Sequence, residues 1–311
     1  MSGQVVVITG GVGGAKLVLG LMQAMPPERI IAIVNTGDDF EHLGLWVSPD
    51  IDTLLYTLSG KANQEQGWGR EGETWSFMDA AHSLGGEDWF ALGDGDLALH
   101  VLRTASRVRG EPLSAITARF ARAWDLVPTI LPMSDDPVAT VLDTEEGELA
   151  FQTYFVERRC MPVVRGIAFR GAELARPGPG VCEAILADET EAILIAPSNP
   201  YLSVDPVLAI PAITAALVKA RAPIVAVSPI VGGAAVKGPT AKLMRELGIP
   251  VTPAAVAEHY RGVIDAMLVD ERDAPGDLSL PHLTCDTLMT TLADRRRVAE
   301  TALELARQVL K

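Results

Sequence analysis

Three features of the sequence predict an α/β fold with a Rossmann-like, doubly wound and mainly parallel sheet. Short β-branched runs alternate with helical patterns along most of the chain. The first run, Val5-Val6-Val7-Ile8, has no polar interruption, as expected of a strand buried on both faces. It leads directly into Thr9-Gly10-Gly11-Val12-Gly13-Gly14-Ala15-Lys16, a glycine turn that opens a helix.

The elements follow in order. Val5–Ile8 is a strand and Lys16–Met25 a helix. Ile30–Val34 is the second strand. Asp52–Leu58 and Asp96–Arg107 read as helices that open on an aspartate, and Ser114–Ala123 is another helix. Val138–Leu142 and Leu149–Phe155 flank Glu145-Glu146-Gly147 and read as a hairpin, which Val163–Phe169 extends. A second βαβ series then begins with the strand Ala192–Ile195, the helix Pro211–Ala220 and the strand Ile224–Val227. It continues with the helix Pro239–Leu247 and the strand Ala266–Val269. Leu292–Leu310 is a closing amphipathic helix. No repeat or low-complexity linker appears, and Pro177-Gly178-Pro179-Gly180 reads as a turn. Residues 1–311 therefore read as one integrated domain, with Gly60–Leu174 as a helical and hairpin elaboration within it.

Composition bounds the function. Of 311 residues, 48% are hydrophobic and 21% charged, which suits a globular protein with a sizeable core. The formal net charge of -14 disfavours nucleic-acid partners and anionic membranes. Cys160, Cys182 and Cys285 show no metal-ligand spacing, and their odd number argues against a disulfide framework. No signal-peptide pattern and no membrane-length apolar stretch appears, so a cytoplasmic location is expected. His42, His82, His100, His259 and His282 lack zinc-site spacing, and no Gly-x-Ser-x-Gly elbow points to a serine hydrolase.

In a doubly wound sheet, ligands bind beyond the carboxyl ends of the strands. The first strand is followed by the glycine turn, with Gly10, Gly11, Gly13 and Gly14. A helix opening there directs free N–H groups and a partial positive charge at phosphate. The turn departs from both the P-loop and the dinucleotide fingerprint, because Lys16 stands before Leu17 and in place of the third glycine. Lys16 either pairs with a phosphate or sits solvated on the helix. The second strand is followed by Asn35-Thr36-Gly37-Asp38-Asp39. The strand at Ala192–Ile195 is followed by Ser198-Asn199-Pro200, and that at Ile224–Val227 by Ser228-Pro229 and Gly232-Gly233. These loops open on one edge.

Acidic pairs recur at Asp38-Asp39, Asp50 and Asp52, Asp94 and Asp96, and Asp135-Asp136. Any one of them can simply cap a helix. Carboxylates beside a phosphate repel it unless a cation lies between, and Mg²⁺ is held by one or two carboxylates plus phosphate oxygens. A glycine cradle with aspartate clusters therefore points to Mg²⁺-assisted phosphoryl chemistry. His100 follows Asp94 and Asp96 closely enough to join the site. Trp46, Trp68, Trp75 and Trp89 crowd one segment with Tyr56 and Phe77, either as core or as a surface for a flat ring system.

Taken together and in order, these loops resemble the 2-phospho-L-lactate transferase family (CofD-like proteins) of deazaflavin coenzyme F-420 biosynthesis. The motifs that carry the resemblance are Gly10 to Lys16, Asn35-Thr36-Gly37-Asp38-Asp39, Ser48-Pro49-Asp50-Ile51-Asp52-Thr53-Leu54-Leu55-Tyr56, Trp68-Gly69 and Leu92-Gly93-Asp94. They continue with Leu131-Pro132-Met133-Ser134-Asp135-Asp136-Pro137, Ala196-Pro197-Ser198-Asn199-Pro200, Val227-Ser228-Pro229-Ile230 and Asp286-Thr287-Leu288-Met289.

The resemblance implies a Mg²⁺-dependent, homodimeric transferase. The donor is a guanosine diphospho-linked small acid, such as lactyl-2-diphospho-5′-guanosine. The acceptor is the deazaflavin Fo, whose ribityl hydroxyl attacks the phosphorus bearing the acid as GMP leaves. Gly10, Gly11, Gly13, Gly14, Lys16, Ser198, Asn199 and Pro200 would then hold the donor. Asn35, Asp52, Asp94, Asp96 and His100 would face Fo. Asp38, Asp39 and Asp50 would hold Mg²⁺, with Asp39, Asp50 and Asp52 in catalytic roles. The family commonly reads Leu-Gly-Asp-Arg-Asp where this chain has Gly95 in place of arginine, and a threonine where it has Leu99. Loss of a guanidinium alters the pocket for the acid, so phosphoglycerate- or phosphoenolpyruvate-derived donors join the lactyl one. Two other readings are a nonenzymatic nucleotide-sugar-binding regulator of carbon metabolism and a nicotinamide oxidoreductase with Asp38 on the ribose. The Ser-Pro-Asp-x-Asp segment counts against the first, and the broken fingerprint against the second.

Overall fold

Parallel pairing organises the computed structural model, which describes residues 3–63, 68–236, 238–274, 276 and 278–309. The elements are β1 (Gln4–Thr9), α1 (Gly11–Ala24), β2 (Ile30–Val34), β3 (Phe40–His42), β4 (Leu45–Val47), α2 (Pro49–Leu58), α3 (Ser76–Ser83), α4 (Leu97–Val108) and α5 (Leu113–Ala123). There follow β5 (Thr129–Pro132), β6 (Ala139–Thr144), β7 (Gly147–Ala150), β8 (Val164–Arg170), α6 (Val181–Leu186), β9 (Thr190–Ile195), α7 (Asp205–Leu208) and α8 (Pro211–Lys219). The remainder are β10 (Ile224–Val227), β11 (Ile230–Val231), β12 (Ala234–Ala235), α9 (Thr240–Glu246), α10 (Pro253–His259), β13 (Ala266–Asp270), β14 (His282–Cys285) and α11 (Leu292–Gln308).

The seven-stranded sheet runs β14-β13-β10-β9-β1-β2-β5, and every pairing in it is parallel. This is the predicted doubly wound architecture. After β1 the chain builds outward through β2 to β5. It then returns to the other side of β1 with β9 and builds outward again to β14. The switch point therefore lies between β1 and β9, where a crevice opens at the carboxyl edge.

Alternate residues of each strand face opposite helical layers. Val5 and Val7 pack with α1, α2, α5 and α11, whereas Val6 and Ile8 pack with the layer that contains α6, α8 and α10. Both faces are covered, which is why the strands read as unbroken apolar runs. A separate sheet, β7-β6-β8, is antiparallel. It meets the loop after β2, where the Thr140 N–H donates to the Gly37 carbonyl at 2.8 Å.

Several boundaries differ from expectation. Helix α1 begins at Gly11, not Lys16, so the glycine turn is itself the first helical turn. Helix α2 begins at Pro49, which suits a first-turn position because proline has no N–H to pair. Asp50 and Asp52 thus lie inside the helix. The strand expected over Leu149–Phe155 ends at Ala150, and Thr153–Glu157 forms a π turn. Phe151 and Tyr154 are buried three residues apart, a helical spacing that a short apolar run conceals. The last helix ends at Gln308, and Leu310 lies outside the described residues. Strand β5 is short and ends on proline, as an edge strand can, and this hid it from pattern reading. Among the described residues no single helix is long and apolar enough to cross a membrane.

Candidate active site

The switch point joins two of the predicted loops directly. The Ser198 hydroxyl donates to the Gly10 carbonyl at 2.6 Å, bringing the Ser-Asn-Pro loop after β9 onto the glycine turn after β1. Asn199 caps the turn that follows: its Oδ1 accepts from the N–H groups of Tyr201 at 3.0 Å and Leu202 at 3.2 Å. Its Nδ2 is buried and unpartnered among the described residues, leaving a donor at the crevice. Pro200 opens that turn. Gly11 has φ +62°, a left-handed conformation that favours glycine. A Cβ on Gly10 would lie 2.6 Å from Asp50 Oδ2, so only glycine allows this approach. Gly13 and Gly14 abut Pro197 and Ser198 in the same way, while Lys16 stands half-buried one turn further along α1.

The cradle already meets an anion. Asp50 Oδ1 accepts the Gly11 N–H at 2.6 Å, and Oδ2 accepts from Asn35 Nδ2 at 2.9 Å. Asn35 Oδ1 in turn accepts the Gly37 N–H at 2.7 Å, shaping the loop after β2. One carboxylate thus ties the ends of β1 and β2 to the first turn of α2.

Burial sets the charge state of the cluster. It raises Asp50 to about 6, against the hydrogen bonds from Asn35 and Gly11. Burial, followed by the nearby Asp50 carboxylate, holds Asp38 well above the ordinary carboxylate value. Burial raises Asp39 to about 7, although Ser48, Arg103 and Trp46 pull it down. Asp39 Oδ2 accepts from Ser48 Oγ at 2.7 Å and Trp46 Nε1 at 3.2 Å. Asp38 Oδ1 and Asp39 Oδ1 are both buried without a hydrogen-bond partner among the described residues. Such groups cost free energy unless something pairs with them. Among the described residues no group of three or more His, Cys, Asp or Glu side chains is arranged to hold a metal ion. A cation here needs ligand oxygens as well, which is how Mg²⁺ binds beside phosphate.

A second layer backs this cluster. Asp52 forms a two-toothed ion pair with Arg103, which is only 1% exposed. His100 Nε2 lies 3.1 Å from Asp96 Oδ2, and the Tyr56 hydroxyl donates to Asp96 Oδ1. Burial works to raise Asp96, but His100, Tyr56 and Arg103 bring it below the ordinary value. Helix α4 supplies His100 and Arg103 from one face, one turn apart. Arg103, Trp46, Ser48 and Tyr56 escaped the sequence reading as members of this network. The signal for Arg103 was its position three residues past His100 in a helix that follows Asp96.

The other acidic residues are engaged in local hydrogen bonds and ion pairs. Asp94 accepts from Thr74 Oγ1 at 2.6 Å and the N–H groups of Ser76 and Phe77, securing the start of α3. Asp135 accepts from Ser114 N and Oγ at 2.7 Å, and Asp136 pairs with Arg176. The tryptophans divide as well. Trp89, itself half-buried, packs against Phe40, His42 and Phe90. Trp68 and Trp75 line a shallow cavity with Arg70, Glu73 and Asp96. A Cβ at Gly95 would lie 2.0 Å from Arg70 Nη1, the movable end of a long side chain, so this approach does not by itself demand glycine. Arg70 fills the space beside Gly95, held by Glu73 at 3.0 Å.

With the geometry in place, comparison with known proteins gives a consistent picture. Residues 5–308 match the family model described as 2-phospho-L-lactate transferase CofD. The chain is 42% identical to a phosphoenolpyruvate transferase from Streptomyces coelicolor, over 98% of this chain and 99% of that protein. It is 38% identical to a 2-phospho-L-lactate transferase from Methanosarcina mazei, over 95% of this chain and 98% of that protein. Among solved structures it resembles a UPF0052-family protein from Bacillus halodurans, with a TM-score of 0.65 and 16% identity over 97% of this chain and 99% of that one. That last likeness concerns the fold alone.

Proposed function

The chain belongs to the 2-phospho-L-lactate transferase CofD family and is a transferase of a phosphorylated acid in coenzyme F-420 biosynthesis, and from that membership we propose the substrates and residue roles that follow. The donor is a guanosine diphospho-linked acid and the acceptor is the ribityl hydroxyl of Fo. The acid is enolpyruvate. The name of the Streptomyces coelicolor relative supports this choice.

The observation that carries the reading is the pair of unpartnered carboxylate oxygens, Asp38 Oδ1 and Asp39 Oδ1, beside the switch-point glycine turn. The donor phosphates lie at Gly10–Gly14, Ser198 and Asn199, where helix amides and the Asn199 Nδ2 donor meet them. The residues present fit Mg²⁺: Asp38 and Asp50 repel one another in a buried setting, and a cation between them and phosphate relieves that cost. Asp38 and Asp50 would hold the ion, which when bound supplies neutralisation of charge on the phosphate oxygens. Asp39 Oδ1 takes the proton of the attacking hydroxyl, a role suited by a pKa of about 7. The hydroxyl oxygen forms a bond to the phosphorus bearing the acid, the diphosphate bridge to that phosphorus breaks, and GMP departs. Asp52 and Arg103 hold α2 against α4, so that the wall bearing Asp96 and His100 keeps its place beside Fo. Positioning and charge neutralisation carry most of such a reaction.

The test mixes the protein with Fo, Mg²⁺ and either enolpyruvyl- or lactyl-linked guanosine diphosphate, and follows the products by mass spectrometry. GMP and an Fo phosphodiester are expected in equal amounts, faster with the enolpyruvyl donor. Absence of both products with either donor overturns the substrate assignment. A preference for the lactyl donor overturns only the choice of acid.

A further inference from the structure

Helix α4 carries a third basic side chain toward the acidic cluster. His100, Arg103 and Arg107 are spaced to lie along one face of the helix. The first two pair with Asp96 and Asp52. Arg107 does not pair: among the described residues its guanidinium makes no hydrogen bond and no ion pair. It lies instead over the Trp46 ring, with its carbon 4.0 Å from the ring centroid. The carboxylates it senses are Asp39 and Asp135. Asp135 is engaged in capping α5, and Asp39 Oδ2 already accepts from Ser48 and Trp46.

Trp46 is a fixed shelf for this guanidinium. Its backbone N–H donates to Thr104 Oγ1 at 2.7 Å, and its carbonyl accepts from Arg103 Nη1 at 3.3 Å. Its indole N–H donates to Asp39 at 3.2 Å, so the ring bridges from the site to Arg107. A stacked, half-buried guanidinium keeps its planar fork of donors pre-oriented. Burial lowers the Arg107 pKa, and an arginine tolerates this without losing its charge.

We propose that Arg107 binds the carboxylate of the transferred acid, gripping it with two parallel N–H donors at the far side of Asp39 from the glycine turn. This inference rests on the transferase reading. Every candidate donor carries a carboxylate on the acid that moves, and GDP carries none. The fork geometry matches a carboxylate, and the stacked position sets its orientation. The donor then spans the site, with phosphates at the switch point and carboxylate on Arg107, and the phosphorus to be attacked lies beside Asp38 and Asp39.

Calorimetric titration of the full-length protein with lactyl-2-diphospho-5′-guanosine and, separately, with GDP tests this. Loss of a charge-assisted pair is expected to weaken binding of the lactyl donor to Arg107→Gln by about 10- to 100-fold. GDP affinity is expected to stay within about twofold of wild type. Arg107→Lys keeps charge and stacking but loses the fork, and falls between. A role confined to packing against Trp46 would move both ligands alike, so equal losses overturn the proposal. Unchanged donor affinity overturns it too, while leaving the transferase reading in place. Failure of the wild-type protein to bind both ligands overturns the guanosine diphospho-linked donor on which this inference rests.

Discussion

Replacing Asp39 with asparagine lowers turnover by about 10²- to 10⁴-fold, the usual range for a lost general base. The substitution is nearly isosteric, and with its amide oxygen in the place of Oδ2 it still accepts from Ser48 Oγ and Trp46 Nε1, so the fold survives. Wild-type turnover rises with pH through about 7 and levels above it, because Asp39 must be ionised to accept a proton. The asparagine variant loses this dependence. Stability moves the other way. The folded-state pKa of about 7 is raised from the ordinary 3.8. Between those values the folded protein holds a proton that the unfolded chain does not, so this group's contribution is full below 3.8 and is lost as pH rises through 7. Asp39→Asn therefore melts at a higher temperature than wild type at pH 8. A variant that is both less stable and fully active would show that Asp39 serves packing. Gain in stability with loss of turnover is the pattern of a site that keeps strain for function.

Arg103→Met carries the largest expected cost to folding, about 3–5 kcal/mol, because it leaves the Asp52 carboxylate buried without its partner. Both side chains are nearly inaccessible, Arg103 at 1% and Asp52 at 6%. Asp52→Asn strands the guanidinium in the same way. Removing both partners together is expected to recover much of the loss, since a buried pair is worth little over well-packed neutral groups. Urea unfolding of the two single variants and the double variant measures this. Additive losses in the double variant would contradict it. The cycle also decides how Asp52 is read: an effect on turnover that disappears with stability restored marks Asp52 as a positioning residue for the α2–α4 wall.

Much of the fold was legible because its signals are local. Buried parallel strands announce themselves as β-branched runs, and Val5–Ile8, Ile30–Val34, Ala192–Ile195, Ile224–Val227 and Ala266–Val269 all fall within sheet strands. The switch point was legible too, since the loops after β1 and β9 were both rich in glycine, serine and asparagine. What escaped depends on distant partners. Asp50 meets the Gly11 amide across 39 positions, which turns an expected open phosphate cradle into one that begins with an internal carboxylate. Asp52 meets Arg103 across 51 positions. No local pattern distinguishes Asp38 and Asp39, with free oxygens, from Asp94 and Asp135, whose oxygens secure helix starts. Spacing brought all of these aspartates forward. Hydrogen-bond occupancy separates the ones free to act.

We propose that donor phosphate binds at the crevice between β1 and β9. Hydrogen–deuterium exchange of the full chain with and without GDP and Mg²⁺ tests it most directly. Protection is expected to concentrate in amides of residues 10–16 and 198–204, with a second, smaller effect in residues 35–39. Protection that leaves both switch-point loops unchanged and falls elsewhere on the molecule would contradict it.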